Sequence, residues 1–481
     1  MSKVWRWAIV AAAIPGTALA APTQSSVYAL PNDVALKVSG GPANADGSGI
    51  QSNTSVGLQS PFGQTTLSGT FTSLPPDPSA PVDRNDRKLS LDSKINGPAG
   101  VDVSVQASSE VHDARQTGTL VPAGLSSTSA TTRTDTATAK ATTQPISNVG
   151  ITVGISRSHT ETAQDNVTVR GAAQSSAVAT EDRKTFASAN WSPLPYLQVK
   201  AGAADQTMSV SARGAANAGD EYHYTAPYGA ATATLWDGAK LKVSSADTVS
   251  PVNPYDFAAL AQAAGPNTDL RVEPNREWRN QATVSQSFDS GGTLSTTVTQ
   301  ARIESTTELG LTGEGAVAPM SISGGARQQL DANLSMPLAG FGLADTTISS
   351  QATLRQSRVR DPVTGQSRRV SGEVPRAANV KVTHKDDDHH LEWGVKGSLA
   401  TEQHFYQPAQ MTALRTGSGV GAFVTYNPGK YIVSLNADGL LGGARSQTDT
   451  FYSGTRTNDV SAISRTGDSS PMVSVSVQQK F

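Results

Sequence analysis

The sequence predicts an all-β fold, a transmembrane antiparallel β-barrel of roughly 20 strands (about 16 to 22) with short periplasmic turns and longer extracellular loops. Three observations support this. Hydrophobicity alternates with a period of two along most of the chain, which is typical of strands whose two faces differ. Only 37% of residues are hydrophobic and 16% are charged, so an apolar core on both faces of the sheet is excluded. Short and long connectors alternate between these segments.

Composition narrows the class of protein further. Disorder would require more charge than this chain carries. Cysteine is absent, so disulfides and thiolate metal sites are excluded. The formal net charge of −2 and the lack of a basic run give no reason to expect a nucleic-acid partner.

The amino-terminal residues have the pattern of a secretory signal peptide. Lys3 and Arg6 form a basic start, residues 8–14 are apolar, and Ala18 and Ala20 fit the small-x-small cleavage site. The apolar run is too short for a helix that spans about 30 Å of hydrocarbon. We therefore expect a signal peptide over 1–20 and a barrel over 21–481.

The carboxy-terminal segment is the clearest alternating strand. Val473, Val475, Val477 and Phe481 share one face, and serine, glutamine and lysine occupy the other. A last strand of this kind, ending in an aromatic residue, resembles the signal by which the barrel-assembly machinery recognises its substrates. We expect its apolar face to contact membrane lipid.

The connectors give a topology that is consistent from end to end. Short connectors with Pro or Gly turn chemistry are predicted near residues 60–63, 96–100, 192–195, 236–238, 289–292, 337–340 and 427–429. Long polar loops are predicted near 41–51, 114–131, 160–181, 246–277, 305–325, 361–373, 403–416 and 453–470. Aromatic residues cluster at the short connectors, which predicts a girdle at one membrane–water interface: Phe62, Trp191, Tyr196, Trp236, Phe288, Phe341, Trp393, Tyr426, Tyr431 and Phe481.

Two stretches resemble the barrel part of TonB-dependent outer-membrane receptors. Asn253-Pro-Tyr-Asp-Phe257, Asn267-Thr-Asp-Leu270 and Glu273-Pro274 precede a strand from Trp278 to Phe288, which is similar to the family's "NP-x-L-x-P-E" entry into a barrel strand, with the final Glu and Pro reversed. Glu392-Trp-Gly-Val395, Gly421-Ala-Phe-Val-Thr-Tyr-Asn-Pro428, Ser434-Leu-Asn-Ala-Asp-Gly-Leu440 and Thr448-Asp-Thr-Phe-Tyr452 come in the order of the family's last strands.

The resemblance implies an outer-membrane transport protein for a small-molecule solute. Its expected surroundings are outer-membrane lipid and lipopolysaccharide. The family places a globular plug before its barrel, whereas strand-like alternation here begins within residues 33–63. We therefore expect a barrel without a plug. Three alternatives follow: the barrel is an open channel, it is closed by its own loops, or it works with a separately encoded plug or energy-coupling protein.

No catalytic, cofactor or metal site is predicted. Residues 384–390 combine histidines with aspartates, but adjacent turn residues rarely converge on one ion. Neither a Gly-x-Ser-x-Gly elbow nor a His-Glu-x-x-His helix is present. An arginine-rich stretch flanks the 361–373 loop and predicts either anion or lipopolysaccharide binding or a solvated rim: Arg355, Arg358, Arg360, Arg368 and Arg369. The alternatives are an outer-membrane enzyme of lipase or protease type and a secreted β-rich adhesin, which would show a fixed internal period.

Overall fold

The computed structural model describes residues 26–30, 34–41, 50–60, 63–74, 82–97, 100–117, 125–168, 173–213, 218–251, 273–311, 317–429, 431–468 and 472–479. The predicted signal peptide, with Ala18 and Ala20, and the terminal Phe481 lie outside the described residues. Within those ranges every regular element is a strand, apart from one 3-10 turn at Ala339–Phe341. The prediction of an all-β fold is confirmed.

The strands in chain order are β1 (Ser26–Leu30), β2 (Val34–Gly41), β3 (Ile50–Ser60), β4 (Gly63–Leu74), β5 (Val82–Asn96), β6 (Val101–Thr117), β7 (Leu125–Ile146), β8 (Val149–Thr168), β9 (Ala173–Leu194), β10 (Leu197–Arg213), β11 (Ala218–Trp236), β12 (Ala239–Ser250), β13 (Asn275–Ser287), β14 (Thr293–Leu311), β15 (Val317–Ile322), β16 (Gly325–Pro337), β17 (Thr346–Arg360), β18 (Ser367–Arg368), β19 (Arg376–Asp386), β20 (Leu391–Ser398), β21 (Thr401–Tyr406), β22 (Gln410–Thr416), β23 (Gly419–Tyr426), β24 (Tyr431–Gly442), β25 (Arg445–Tyr452), β26 (Val460–Asp468) and β27 (Met472–Gln479).

Neighbouring strands pair antiparallel and in chain order, so the architecture is a long series of hairpins. In the described residues 23 strands form one sheet, while β21, β22, β25 and β26 form a second sheet of four. Short breaks separate these four from β20, β23, β24 and β27, which they continue in sequence. When a strand and its continuation beyond a short break are counted as one, the number of strands lies within the predicted range of about 16 to 22.

Several segments predicted as long loops are strand. The predicted loops 114–131, 160–181, 305–325, 403–416 and 453–470 are largely occupied by the ends of β6 to β9, by β14 and β15, by β21 and β22, and by β26. The physical reason is that both faces of a strand that extends beyond the membrane meet water. Apolar alternation then disappears while backbone pairing continues. The hairpins at β4–β5, β7–β8 and β10–β11 were not predicted.

The two faces of the sheet differ in chemistry. On β17, Ile348, Ala352 and Leu354 alternate with Gln351 and Thr353. Outer-face side chains such as Val298, Leu330 and Leu354 are 54%, 38% and 55% exposed. We call their side the outer face and the polar side the inner face.

Burial identifies the inner face as the concave one. On β9 and β10, Thr180, Ala204 and Met208 of the inner face are only 5%, 1% and 1% exposed, whereas the large apolar side chains of the outer face are exposed. Side chains converge on the concave side of a curved sheet and bury one another there, whereas they diverge on the convex side. The sheet therefore curves with its polar face inside and its apolar face outside, as a membrane barrel requires.

The predicted aromatic residues lie at the short-turn end. Trp191, Tyr196, Trp236, Phe288, Phe341, Trp393 and Tyr426 are all exposed there. Phe62 and Phe481 lie outside the described residues. Amphipathic rings at one level of the outer face are typical of a membrane–water interface. Among the described residues, no helix has the length and the apolar character needed to cross a membrane.

Candidate functional site

The inner face is the candidate functional surface, and paired hydroxyl groups cover much of it. Serine and threonine at directly opposed positions of adjacent strands meet at oxygen–oxygen distances of 2.6 to 3.3 Å in the pairs Ser68–Ser90, Ser108–Thr136, Thr132–Thr162, Thr134–Thr160, Thr142–Thr152, Thr283–Thr297 and Thr425–Ser434. We call this set the hydroxyl ladder. Because each hydroxyl both donates and accepts, the ladder presents a neutral, hydrogen-bonding wall.

Charged side chains interrupt the ladder at intervals. Lys140 and Lys200 occupy inner-face positions on β7 and β10 and are exposed, with no ion pair in the described part of the chain. Carboxylates of the same face are held by neutral donors: Asp92 accepts from Gln106 at 2.8 Å, and Asp182 accepts from Gln206 at 2.9 Å. The inner wall is thus polar and mixed in charge, and it is suited to contact with water and hydrophilic solutes.

An ionic cluster joins inner-face residues of the carboxy-terminal strands. Arg327 on β16 pairs with Glu277 on β13 and, at 2.8 Å, with Glu373. Glu373 also accepts from Ser357 and lies 3.8 Å from Arg355. We call Glu277, Arg327, Arg355 and Glu373 the inner network. It ties the segment after β18 to the wall formed by β13, β16 and β17.

A second cluster closes the loop end of the same wall. Arg368 pairs with Asp361 and, at 3.1 Å, with Glu308, and Arg456 reaches Asp361 at 2.8 Å. The guanidinium carbons of Arg368 and Arg456 lie 4.3 and 5.4 Å from the centre of the Tyr406 ring. We call these five residues the rim network. They join β14, the β17–β18 turn, β21 and the β25–β26 connection at one point.

Local backbone hydrogen bonds hold the Asp361 carboxylate in the rim network. Its side chain accepts hydrogen bonds from the backbone N–H groups of Val363 and Thr364 at 2.8 and 2.9 Å, which closes an Asx turn. Burial alone would raise the pKa of Asp361, but the Thr364 N–H and the guanidinium groups of Arg368 and Arg456 outweigh burial and lower it to about 2. The carboxylate is therefore charged throughout the physiological range.

The valines of the predicted last strand lie on one face of β27. Val473 and Val475 are exposed on one face of β27 and lie opposite Ala437 and Leu435 of β24. Val477 follows in the same register, opposite Val433. Their role as an assembly signal stays a prediction.

The histidine-rich turn is not assembled as a metal site. His389 contacts Asp386 at 2.8 Å, while His384 lies against Thr346 and the ring of Trp393. Within the described residues, no group of three or more His, Cys, Asp or Glu side chains is placed to hold a metal ion. The segment forms the tight turn between β19 and β20 at the short-turn end.

The arginine-rich stretch divides into two groups. Arg355, which is half-buried, and Arg368, which is 8% exposed, are partners in the inner and rim networks, and neither interpretation of the stretch predicted these roles. Arg358, Arg360 and Arg369 are exposed. Sequence reasoning also missed Asp361, although Asp361-Pro-Val-Thr-Gly365 has turn chemistry and Gly365 adopts a positive φ of 68°.

Several solved structures have a similar architecture. The siderophore receptor PiuA from Acinetobacter baumannii superposes with a TM-score of 0.66 at 12% identity, over 95% of this chain and 79% of that one. The FrpB iron transporter from Neisseria meningitidis gives 0.67 at 10% identity, over 94% and 77%. The copper transporter OprC gives 0.66 at 11% identity, over 93% and 76%. No protein-family model and no curated protein matches the chain.

The match covers the strands of this chain. Nearly every described residue belongs to a strand or to a connection between strands, so no plug domain is present in the described part. The polar inner face then corresponds to the lumen wall and the apolar outer face to the lipid-facing surface. The chain therefore has the fold of the barrel of TonB-dependent outer-membrane receptors.

Proposed function

We propose that this chain is an outer-membrane β-barrel transport protein, a plugless TonB-dependent-receptor-like channel or receptor for small solutes. The observation that carries the proposal is the opposite chemistry of the two faces. Exposed aliphatic side chains cover the outer face of the curved sheet, and the hydroxyl ladder covers the inner face. A soluble sheet protein would bury the aliphatic face, whereas a membrane barrel turns it towards lipid.

The structural neighbours support transport. Those reported above are a siderophore receptor, an iron transporter and a copper transporter. They are transport receptors rather than enzymes, and neither the enzyme nor the adhesin alternative finds support among them. For this chain we propose a small hydrophilic solute, since the hydroxyl ladder offers hydrogen bonds without a strong charge of either sign.

Gel migration and conductance test the proposal together. The chain is refolded in detergent micelles and run on a gel with and without boiling, and the unboiled sample is then added to planar bilayers. We expect a band that shifts on boiling and stepwise conductance with the lumen open to water. A soluble protein with no shift contradicts the barrel, and hydrolase activity without conductance favours the enzyme alternative.

The same measurement separates the three states left open by the sequence. Steady conductance of the purified chain indicates an open pore. Insertion with conductance that appears only after the loops are cleaved by protease indicates closure by the chain's own loops. Conductance that is blocked by a co-expressed plug-like protein indicates a separately encoded partner, and an energy-coupled role would then follow.

We also propose that the last strand directs assembly. The exposed valines of β27 continue the outer face along this strand, and Phe481 follows them in the alternating pattern of the sequence. Deletion of Phe481 should lower the yield of heat-modifiable protein in the outer membrane, whereas Lys480→Gln should not. Insertion of the deletion variant at full yield contradicts this role.

A further inference from the structure

Three parallel rows of outer-face residues cross β14, β16 and β17. The lowest, the apolar row, is Val298, Leu330 and Leu354, which are directly opposed across the strands. The next, the amide row, is Gln300, Gln328 and Gln356. Above it Arg302 and Arg358 lie on either side of Ala326. Arg302 pairs with Glu304 at 3.0 Å, whereas Arg358 forms no ion pair with any described residue. Moving away from the short-turn end, the outer face thus changes from aliphatic to amide to cationic within five residues of one strand.

A surface cavity of about 1070 Å³ lies across two of these rows. The whole apolar row and the whole amide row line it, with Arg369, Arg376, Glu402 and His404 at its side. Arg376 is directly opposed to Leu354, so it is level with the apolar row. Because both rows line it in full, the cavity lies at the upper edge of the lipid-facing band, where Thr299, Gln329 and Arg355 of the inner face line it as well.

Four arginines around this cavity have no carboxylate partner among the described residues. Arg358, Arg360, Arg369 and Arg376 are exposed and form no ion pair within the described part of the chain. The one carboxylate in the cavity lining, Glu402, pairs with Arg415 at 3.0 Å and contacts His404 at 2.7 Å. The patch therefore presents net positive charge to whatever lies beside it.

The opposite wall shows a different arrangement at the same level. Above the outer-face Ile155 and Thr185, Arg157 and Arg183 both contact Glu181 at 2.7 Å. Arg133 likewise pairs with Asp135 at 2.9 Å. On that wall the protein supplies its own anions, so the unpaired arginines of β17 and β19 are a local feature and not a property of the whole rim.

We propose that the outer face of β14 to β19 binds the phosphate groups of a phosphorylated glycolipid of the outer leaflet, that is, lipopolysaccharide. The apolar row contacts the acyl chains, the amide row hydrogen-bonds the sugar, and Arg358 and Arg369 pair with phosphate. Arg376 reaches phosphate by extending its side chain upward from the level of the apolar row. Guanidinium groups suit this role because they bind phosphate oxygens in a bidentate geometry. The inference rests on the outer-membrane location proposed above.

A binding titration tests the inference. Refolded protein in detergent micelles is titrated with rough lipopolysaccharide, with the same lipid after enzymatic dephosphorylation, and with inorganic phosphate, and complexes are quantified by native mass spectrometry. We expect Arg358→Gln/Arg369→Gln/Arg376→Gln to weaken lipopolysaccharide binding at least about tenfold. Dephosphorylation should weaken binding to wild type by a similar factor and should change little in the triple variant.

The matched control is Arg157→Gln/Arg183→Gln, which removes two rim arginines that already have a carboxylate partner and should alter binding less than about twofold. Heat-modifiable migration of each variant shows that it is folded. Equal lipopolysaccharide binding by the triple variant and wild type overturns the inference. Displacement of lipopolysaccharide by inorganic phosphate at a concentration similar to that of the lipid also overturns it. Those outcomes leave conductance intact, whereas loss of insertion and conductance in wild type contradicts the proposed function instead.

Discussion

The amino-terminal wall, β5 to β12, and the carboxy-terminal wall, β13 to β26, are built from the same hairpins but are held together differently. The first relies on backbone ladders and the hydroxyl ladder, and its described ion pairs join residues of one strand or of adjacent strands. The second adds the inner network and the rim network, which join strands that are not neighbours. The comparison indicates that the loop end of the barrel is rigid on one side and depends on local pairing on the other.

The largest expected effect comes from breaking the rim network. Arg368→Met leaves Asp361 and Glu308 buried without their shared cation, since the Arg368 side chain is only 8% exposed. Removing one partner of a buried ion pair costs about 3–5 kcal/mol. We expect the free energy of unfolding in urea to fall by that order and protease to cut within 361–375.

The control for that variant is Arg183→Gln on the opposite wall. Its guanidinium is exposed and pairs with Glu181 near the surface, so we expect a much smaller loss of unfolding free energy than for Arg368→Met. Equal losses for the two variants would mean that the two walls do not differ in the way described.

A smaller loss is expected from filling a glycine site in the carboxy-terminal wall. A Cβ at Gly394 would lie 2.1 Å from the carbonyl oxygen of Val382 and 2.8 Å from the Phe423 ring. Gly394→Ala must therefore shift β20 against β19, which costs about 1–3 kcal/mol. Gly397→Ala on the same strand meets nothing closer than 4.0 Å and should unfold like wild type, and the opposite ranking in urea would contradict the described packing.

Acid should weaken the rim network of the carboxy-terminal wall. The pKa of Asp361 is lowered from 3.8 to about 2 when folded, so its stabilising contribution is full above about pH 4 and is lost as pH falls towards 2. We expect protease cleavage within 361–375 to rise across that interval. Asp361→Asn should reduce the pH dependence, and a wild-type profile that is flat from pH 4 to 2 would contradict the role of the network.

The smallest effect tests the amino-terminal wall. Ser108→Ala and Thr136→Val each remove one hydroxyl of a pair 2.6 Å apart. Each should cost about 1 kcal/mol or less, because water in the lumen replaces the lost partner. The double variant should cost less than the sum of the two, and strict additivity in urea unfolding would show that the pair does not interact.

Sequence predicted the parts of the molecule that depend on local pattern. The alternation of Val473, Val475 and Val477 and most short Pro and Gly connectors correspond to strands and turns in the structure. The sequence-based prediction was wrong where both faces of a strand meet water, as in β21 and β22. The rim network could not be predicted from the sequence, because its partners are far apart in the chain. Arg368 and Glu308 are 60 residues apart, Arg456 and Asp361 are 95 residues apart, and no short pattern links either pair.

Cysteine accessibility on β17 tests most directly the claim that the polar face lines water and the apolar face meets lipid. The chain has no cysteine, so each introduced thiol is the only one present. In proteoliposomes, a charged, water-soluble maleimide should label Gln351→Cys and Thr353→Cys rapidly and leave Ala352→Cys and Leu354→Cys unlabelled until the protein is unfolded. Equal labelling of all four positions, or labelling confined to positions 352 and 354, would contradict the barrel and the transport function proposed from it.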